Sequence, residues 1–216
     1  MANKTSSIPL NILITAGPTR EYFDSVRYLS NGSSGTMGYA CAKIAVALGH
    51  KVTLISGPVT LTAPKKVKMI SVITAQEMYR ATMAHYQKAD CVIMTAAVCD
   101  YCPKKRLKYK LKKNPNDLKW EMVPTKDILA TLGARKTTQK LIGFAVEDTA
   151  PKRNAKKKLM QKNLDAIILN HPQVMSQATT EAAILIRGKS FAPTGRISKI
   201  TLAKKIITLA QNLCKN

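Results

Sequence analysis

The chain has 216 residues, enough for one sizeable α/β domain and marginal for two. A hydrophobic content of 45% excludes a disordered chain, and the 5% of aromatic residues makes a core of Ile, Leu, Val, Ala and Met necessary. The formal charge of +23, from 35 basic and 12 acidic residues, favours anionic partners, whether it marks a lysine-rich solvated surface, a field that steers a substrate, or a nucleic-acid-binding face.

Residues 1–10 read as a loose lead-in and 11–216 as a single domain. Asn11–Ala16 is an apolar strand. A polar loop follows and ends in Gly32, Ser33, Ser34 and Gly35, directly before a helix predicted over Thr36–Leu48 and stopped by Gly49. Such a turn can offer backbone N–H groups and a helix N-terminus to an anion. It lacks both the G-x-G-x-x-G spacing of dinucleotide sites and the G-K-[ST] of a P-loop. Lys51–Ile55 is a second strand closed by Ser56-Gly57-Pro58, and this β–loop–α–β order predicts parallel strands in a doubly wound sheet.

Val67–Val72 reads as a third strand. Thr74 and Glu77 form a capping box for a helix from Ala75 towards Lys88. Asp90–Ala97 is a nearly all-apolar fourth strand, as expected of a central parallel strand. Residues 98–118 break the pattern, and Leu118–Val123 alternates like an edge strand or half a hairpin. Pro124–Gly133 reads as a short helix capped by Thr125. Lys140–Ala145 is a core strand, and Pro151–Lys162 a very basic helix with proline in the first turn. Asp165–Leu169 is a buried strand ending at Asn170, Ala182–Ile186 a late strand, and Ser198–Leu213 an amphipathic helix. The expected architecture is α/β: a three-layer Rossmann-like domain with a mainly parallel sheet and a flap-like excursion around 98–123.

The five cysteines are odd in number and fit no zinc or disulfide framework; the C-x-x-C of Cys99 and Cys102 encloses Asp100 and Tyr101 and reads as a pair of free thiols. Three scattered histidines argue against a protein-held metal. With no signal-like start and no run of 18 apolar residues, a cytoplasmic protein without a membrane partner is the expectation.

The segments TAGPTRE at 15–21, VRYLSNGSSGTMG at 26–38, VTLISGP at 52–58, MTAAVCDY at 94–101, KLKK at 110–113, TKDILA at 125–130, GFAVE at 143–147 and KKLMQKNLDAIILN at 157–170 share one order. Together they strongly resemble the phosphopantothenoylcysteine synthetase family, often the C-terminal half of a fused bacterial protein. The resemblance implies a ligase of coenzyme A biosynthesis that joins 4′-phosphopantothenate to L-cysteine. It implies CTP as cosubstrate, with Mg²⁺ on its phosphates. The substrate carboxylate attacks the α-phosphorus, pyrophosphate leaves, and the cysteine amine displaces CMP from the acyl-cytidylate. The flavin-dependent decarboxylase half of the fused proteins is not expected here, and neither is FMN; a separate phosphopantothenoylcysteine decarboxylase is a candidate partner. The family also implies a homodimer whose partner subunit completes each site.

Carried over residue by residue, the resemblance makes Asn31 the amide that handles the activated acyl group. It makes Lys110 the flap lysine that stabilises charge on the nucleotide phosphates, with Lys108 and Lys112 as competing registers in the same basic run. Asp100, Met94, Phe144 and the turn Thr125, Lys126, Asp127, Ile128 are assigned to the nucleotide, as are Gly32, Ser33, Ser34 and Gly35. Lys126 stands where the family usually has proline, and Thr36 where it usually has lysine. Lys158 and Lys162, one helical turn apart, would approach the triphosphate, and Asn170 the pantothenate end. Read from the residues alone, these same lysines also fit a solvated surface, Asn31 a turn, and Asp100 a loop cap. Two rival classes remain: a basic nucleic-acid-binding module, which lacks RNP and GXXG signatures, and a nucleotide-dependent oxidoreductase, which lacks the glycine fingerprint.

Overall fold

A computed structural model of the chain describes residues 8–113, 119–171 and 179–215. Most of the lead-in (1–7), Leu118 at the start of the expected edge strand, and part of the 98–123 excursion (114–118) lie outside the described residues.

The strands are β1 (Asn11–Ala16), β2 (Arg20–Tyr22), β3 (Tyr28–Ser30), β4 (Lys51–Ser56), β5 (Val67–Ser71), β6 (Cys91–Met94), β7 (Tyr101–Pro103), β8 (Met122–Pro124), β9 (Lys140–Val146), β10 (Ala166–Asn170), β11 (Thr179–Ile186) and β12 (Ala192–Ser198). The helices are α1 (Thr36–Ala47), α2 (Ala75–Tyr86), α3 (Ile128–Ala134), α4 (Pro151–Gln161) and α5 (Lys199–Lys215). One eight-stranded sheet runs in the order β12-β11-β10-β9-β6-β1-β4-β5. From β10 to β5 every pairing is parallel, and β11 and β12 extend the sheet antiparallel.

Alternation along β1 explains the three layers. Ile12 and Ile14 face one way and pack with buried residues of α1 and α5, among them Ala42, Ala45, Leu202 and Ile206. Leu13 faces the other way, into a second core with Met78 and Tyr86 of α2, Ile128 and Leu132 of α3 and Leu159 of α4. A strand buried on both faces is mostly apolar, as are Ile12–Ile14 of β1, all of β6 and Ala166–Leu169 of β10, with Thr15 the buried exception in β1. Gly38 makes the α1–β1 contact close, since a Cβ there would stand 2.5 Å from Ala16 Cβ.

The capping box on α2 forms as expected: Glu77 N donates to Thr74 Oγ1 at 3.1 Å, and Thr74 N to Glu77 Oε2 at 3.4 Å. Three expectations are corrected. The fourth strand ends at Met94 rather than Ala97, because from Thr95 the backbone bonds irregularly to Thr15 and Gly17. The short helix starts at Ile128 and is capped by Asp127, whose Oδ1 accepts from Ala130 N at 2.9 Å; Thr125 spends its hydroxyl on Cys99 O at 2.6 Å. The late strand begins at Thr179 rather than Ala182. Of the two readings of Leu118–Val123, half a hairpin is the one that forms: β8 pairs antiparallel with β7 inside the 98–123 excursion. Strands β2, β3 and β12 are further additions. All five cysteines are free.

Candidate active site

The C-terminal edge of the parallel strands carries two adjoining cavities of about 440 and 330 Å³. They share Ala96, Val98, Asp100, Phe144 and Lys158. The larger adds the turn 31–38, Asn170, Thr180 and Lys199; the smaller adds Met94, Tyr101 and residues 124–129 with Lys162.

The glycine-serine turn is built as an anion cradle. Gly35 takes a left-handed backbone (φ 77) at the N-cap of α1, and no side chain caps that helix. The first N–H groups of α1 and its positive dipole end are left for the cavity. The left-handed backbone favours glycine at position 35, and a Cβ there would also crowd Val59 Cγ1 at 3.0 Å. Gly32 is under no such demand: nothing lies within 4 Å of where its Cβ would be. Ser33 N closes back on Asn31 O at 2.8 Å, and Ser34 Oγ and Thr36 Oγ1 lie 2.8 Å apart.

Asn31 is oriented by its amide nitrogen, which donates to Ala97 O and Val98 O, each at 3.1 Å. Both N–H bonds are therefore committed, and the side-chain oxygen is the group that can meet a ligand, as an acceptor.

The cations come from α4. Lys158 is half-buried and donates from Nζ to Phe144 O at 2.9 Å. Burial, and then the neighbouring Lys162 charge, push its pKa below the usual lysine value of 10.5. A buried ammonium in weak dielectric acts strongly on a phosphate. Lys162, just past the end of α4, pairs with Asp127 Oδ2 at 2.6 Å. Burial raises the Asp127 pKa, but the Lys162 hydrogen bond and the Ala130 N–H outweigh it and hold the carboxyl below its ordinary value. Lys126 lies over the Tyr79 ring at 4.9 Å while also lining the smaller cavity. Met94 is buried and accepts from Thr15 Oγ1 at 3.5 Å. Asn170 Oδ1 accepts from Thr180 Oγ1 at 3.5 Å.

Asn31, the turn 32–35, Met94, Asp100, Thr125 to Ile128, Phe144, Lys158, Lys162 and Asn170 thus come together at one sheet edge. Lys110 does not: it is exposed and lines neither cavity. Its neighbour Leu111 is clasped on the turn between β2 and β3. Leu111 N donates to Asp24 Oδ2 at 3.0 Å, Arg27 Nη2 donates to Leu111 O, and Leu107 N reaches Phe23 O at 2.8 Å. Thr180 and Lys199 were not anticipated. Neither stands in a recognisable motif, and both reach the cavity only through the antiparallel strands β11 and β12. Burial lowers the Lys199 pKa as well.

Residues 9–213 match the DNA/pantothenate metabolism flavoprotein C-terminal domain family. The chain is 47% identical over 169 residues to the coenzyme A biosynthesis bifunctional protein CoaBC of Bacillus subtilis (strain 168), covering 76% of this chain and 42% of that protein. The corresponding protein of Vibrio parahaemolyticus is 42% identical over 213 residues, covering 94% of this chain and 52% of its own length. The chain thus spans about half the length of these relatives. Among solved structures, the crystal structure of the C-terminal domain of CoaBC superposes with a TM-score of 0.86 at 38% identity, covering 98% of this chain and 99% of that one.

Proposed function

Because the chain belongs to the DNA/pantothenate metabolism flavoprotein C-terminal domain family, we propose that it is a phosphopantothenate–cysteine ligase that uses CTP and works through an acyl-cytidylate. The observation that carries this reading is the convergence of the uncapped α1 N-terminus, Asn31 and the half-buried Lys158 on one cleft. It supports a reaction whose charge develops on phosphate and whose acyl group must be held beside it.

In the first step the 4′-phosphopantothenate carboxylate attacks the α-phosphorus of CTP. The bond to the bridging oxygen breaks and pyrophosphate leaves. The α1 N–H groups, Lys158 and Lys162 offset the charge that gathers on the phosphate oxygens. Mg²⁺ carried by the nucleotide would neutralise phosphate charge, and the Asp100 and Asp127 carboxylates that line the smaller cavity would hold it there. In the second step the L-cysteine amine attacks the acyl carbon, CMP departs and the amine loses a proton. The Asn31 oxygen, its amide nitrogen being tied to Ala97 and Val98, accepts from that amine and orients it. Phe144 flanks the base, Asn170 and Thr180 hold the pantothenate end, and Lys110 closes over the phosphates from the 104–111 segment. A homodimer forms through the exposed apolar residues Val26, Tyr28, Leu29 and Tyr101. The protein is cytoplasmic, and a separate phosphopantothenoylcysteine decarboxylase consumes its product.

The test supplies phosphopantothenate, cysteine, Mg²⁺ and each nucleoside triphosphate in turn. Release of CMP and pyrophosphate with CTP is the expected result; no release with any nucleotide sinks the reading.

A further inference from the structure

A further cavity lies at the other end of the sheet. It measures about 630 Å³ and lies at the N-terminal ends of β1 and β4, roofed by the ends of α1 and α2. Nothing in the proposed ligase reaction uses it. Its lining includes Lys51, Lys66, Lys68, Lys88, His50 and His85, and no carboxylate. None of the four ion pairs among the described residues involves these lysines. Asp90, which follows Ala89 of the lining, turns one oxygen onto the Asn11 backbone and side-chain amides at 2.6 and 3.2 Å.

The histidines sharpen the chemistry. His85 Nδ1 is 3.0 Å from Ala81 O. A carbonyl oxygen only accepts, so Nδ1 carries the proton and Nε2 the lone pair. That lone pair receives Lys68 Nζ at 3.0 Å. Lys68 is thus held at the cavity by a ring nitrogen rather than by a carboxylate, so no counter-charge among the described residues pairs with it. His50 is buried; its Nδ1 accepts from Leu10 N at 3.1 Å, and burial lowers its pKa, which makes it a neutral wall. Lys66 is held in the lining by a left-handed backbone (φ 64), a conformation a non-glycine residue takes at a cost. Four exposed lysines on one hollow, with no ion pair among the described residues, make a local charge excess that attracts an anion of two or more charges.

We propose that this cavity is a second binding site, for a compact polyanion of the polyphosphate or phosphorylated small-molecule class, separate from the catalytic cleft. It does not rest on the ligase reading.

The test titrates inorganic tripolyphosphate into the full chain, followed by calorimetry and by NMR of the histidine rings. The chain has only three histidines, so the His85 signals are readily assigned with a His85→Gln variant. Two binding events and a shift of the His85 ring signals are expected. Combined Lys51→Ala, Lys68→Ala and Lys88→Ala should weaken one event at least tenfold and leave CTP-dependent turnover within twofold. Lys158→Ala with Lys162→Ala should remove the other event and leave the His85 shift in place. Failure of the ligase reading would leave the His85 response untouched. The proposal is overturned if tripolyphosphate leaves the His85 ring signals of the unmutated chain unmoved, or if the triple variant keeps both events. The measurement on the unmutated chain decides the matter should the triple variant fail to fold.

Discussion

The ammonium of Lys158 donates to the carbonyl oxygen of Phe144 at 2.9 Å, tying α4 to the end of β9 where the two cavities meet. This bond is a poor substitute for water around a buried charge, which is why burial depresses the lysine. At neutral pH the fold bears the cost of keeping the ammonium charged. That cost is relieved as pH rises through the lowered folded value towards the ordinary 10.5. Lys158→Met should therefore raise stability by about 1 kcal/mol at pH 7 and lower CTP-dependent turnover about 100-fold. Urea denaturation and a pyrophosphate-release assay read the two effects; a variant both less stable and fully active would contradict the assignment.

Asn31→Asp replaces a donor with an acceptor opposite two carbonyl oxygens at 3.1 Å. The turn around Asn31 is exposed, so the fold should stand. Pyrophosphate release should persist while product formation falls about 100-fold or more, with acyl-cytidylate accumulating in mass spectra. Equal loss of both half-reactions would remove Asn31 from the second step.

Gly38→Ala forces a Cβ to within 2.5 Å of Ala16 Cβ and 2.6 Å of Thr95 Oγ1. Prising α1 from β1 should cost about 1–3 kcal/mol, visible as a lower denaturation midpoint with an unchanged slope. Gly32→Ala, with open space around it, is the matched control and should be near neutral.

Asp24 is 1% exposed and accepts from Arg27 N at 2.7 Å, Val26 N at 2.8 Å, Leu111 N at 3.0 Å and Arg27 Nε at 3.0 Å. The backbone bonds of Arg27 and Val26 hold its carboxyl far below the ordinary carboxylate value, against the opposing effect of burial. A depressed carboxyl stabilises fully above its unfolded value of about 3.9, and that contribution fades as pH falls through the folded value. Asp24→Asn should flatten the acid limb of the stability profile. It should also free the 107–111 segment, so that trypsin cuts at Lys108 and Lys110 several-fold faster; unchanged cleavage would show that Asp24 does not hold that segment.

Much of the architecture was readable from local pattern. Ile12, Leu13 and Ile14 in succession mark a strand covered on both faces, and Thr74 with Glu77 marks a helix start, because both signals are complete within a few residues. What failed depended on distant partners. Thr125 and Asp127 are equally good caps on paper; Cys99 O, 26 residues away, decides between them by taking the threonine hydroxyl. β2, β3, β7 and β8 have three residues each, too few for a period to show. β12 carries Pro193 and Gly195 because it is an edge strand, and those residues hide it. In the cleft, motif-bearing residues were found and Thr180 and Lys199 were not, since only the sheet order brings them in. Lys110 is the converse: its motif is plain, but its side chain stands outside the cleft in this conformation.

The pairing of α5 with α1 on one face of the sheet bears on how the chain is made. Gln211 of α5 reaches His50, just past α1 and 161 positions earlier in the chain, with the side-chain amide 3.0 Å from Nε2. Until α5 has been synthesised, Ala42, Ala45, Ile12 and Ile14 have no cover from Leu202 and Ile206. During translation, then, the first βαβ unit emerges from the ribosome with half its apolar face bare, and a closure between such distant segments is slow. The α1–α5 face of the domain should therefore close late, after α5 has emerged. Shortening α5 should show first as lost yield in the cell rather than as lost catalysis in the tube.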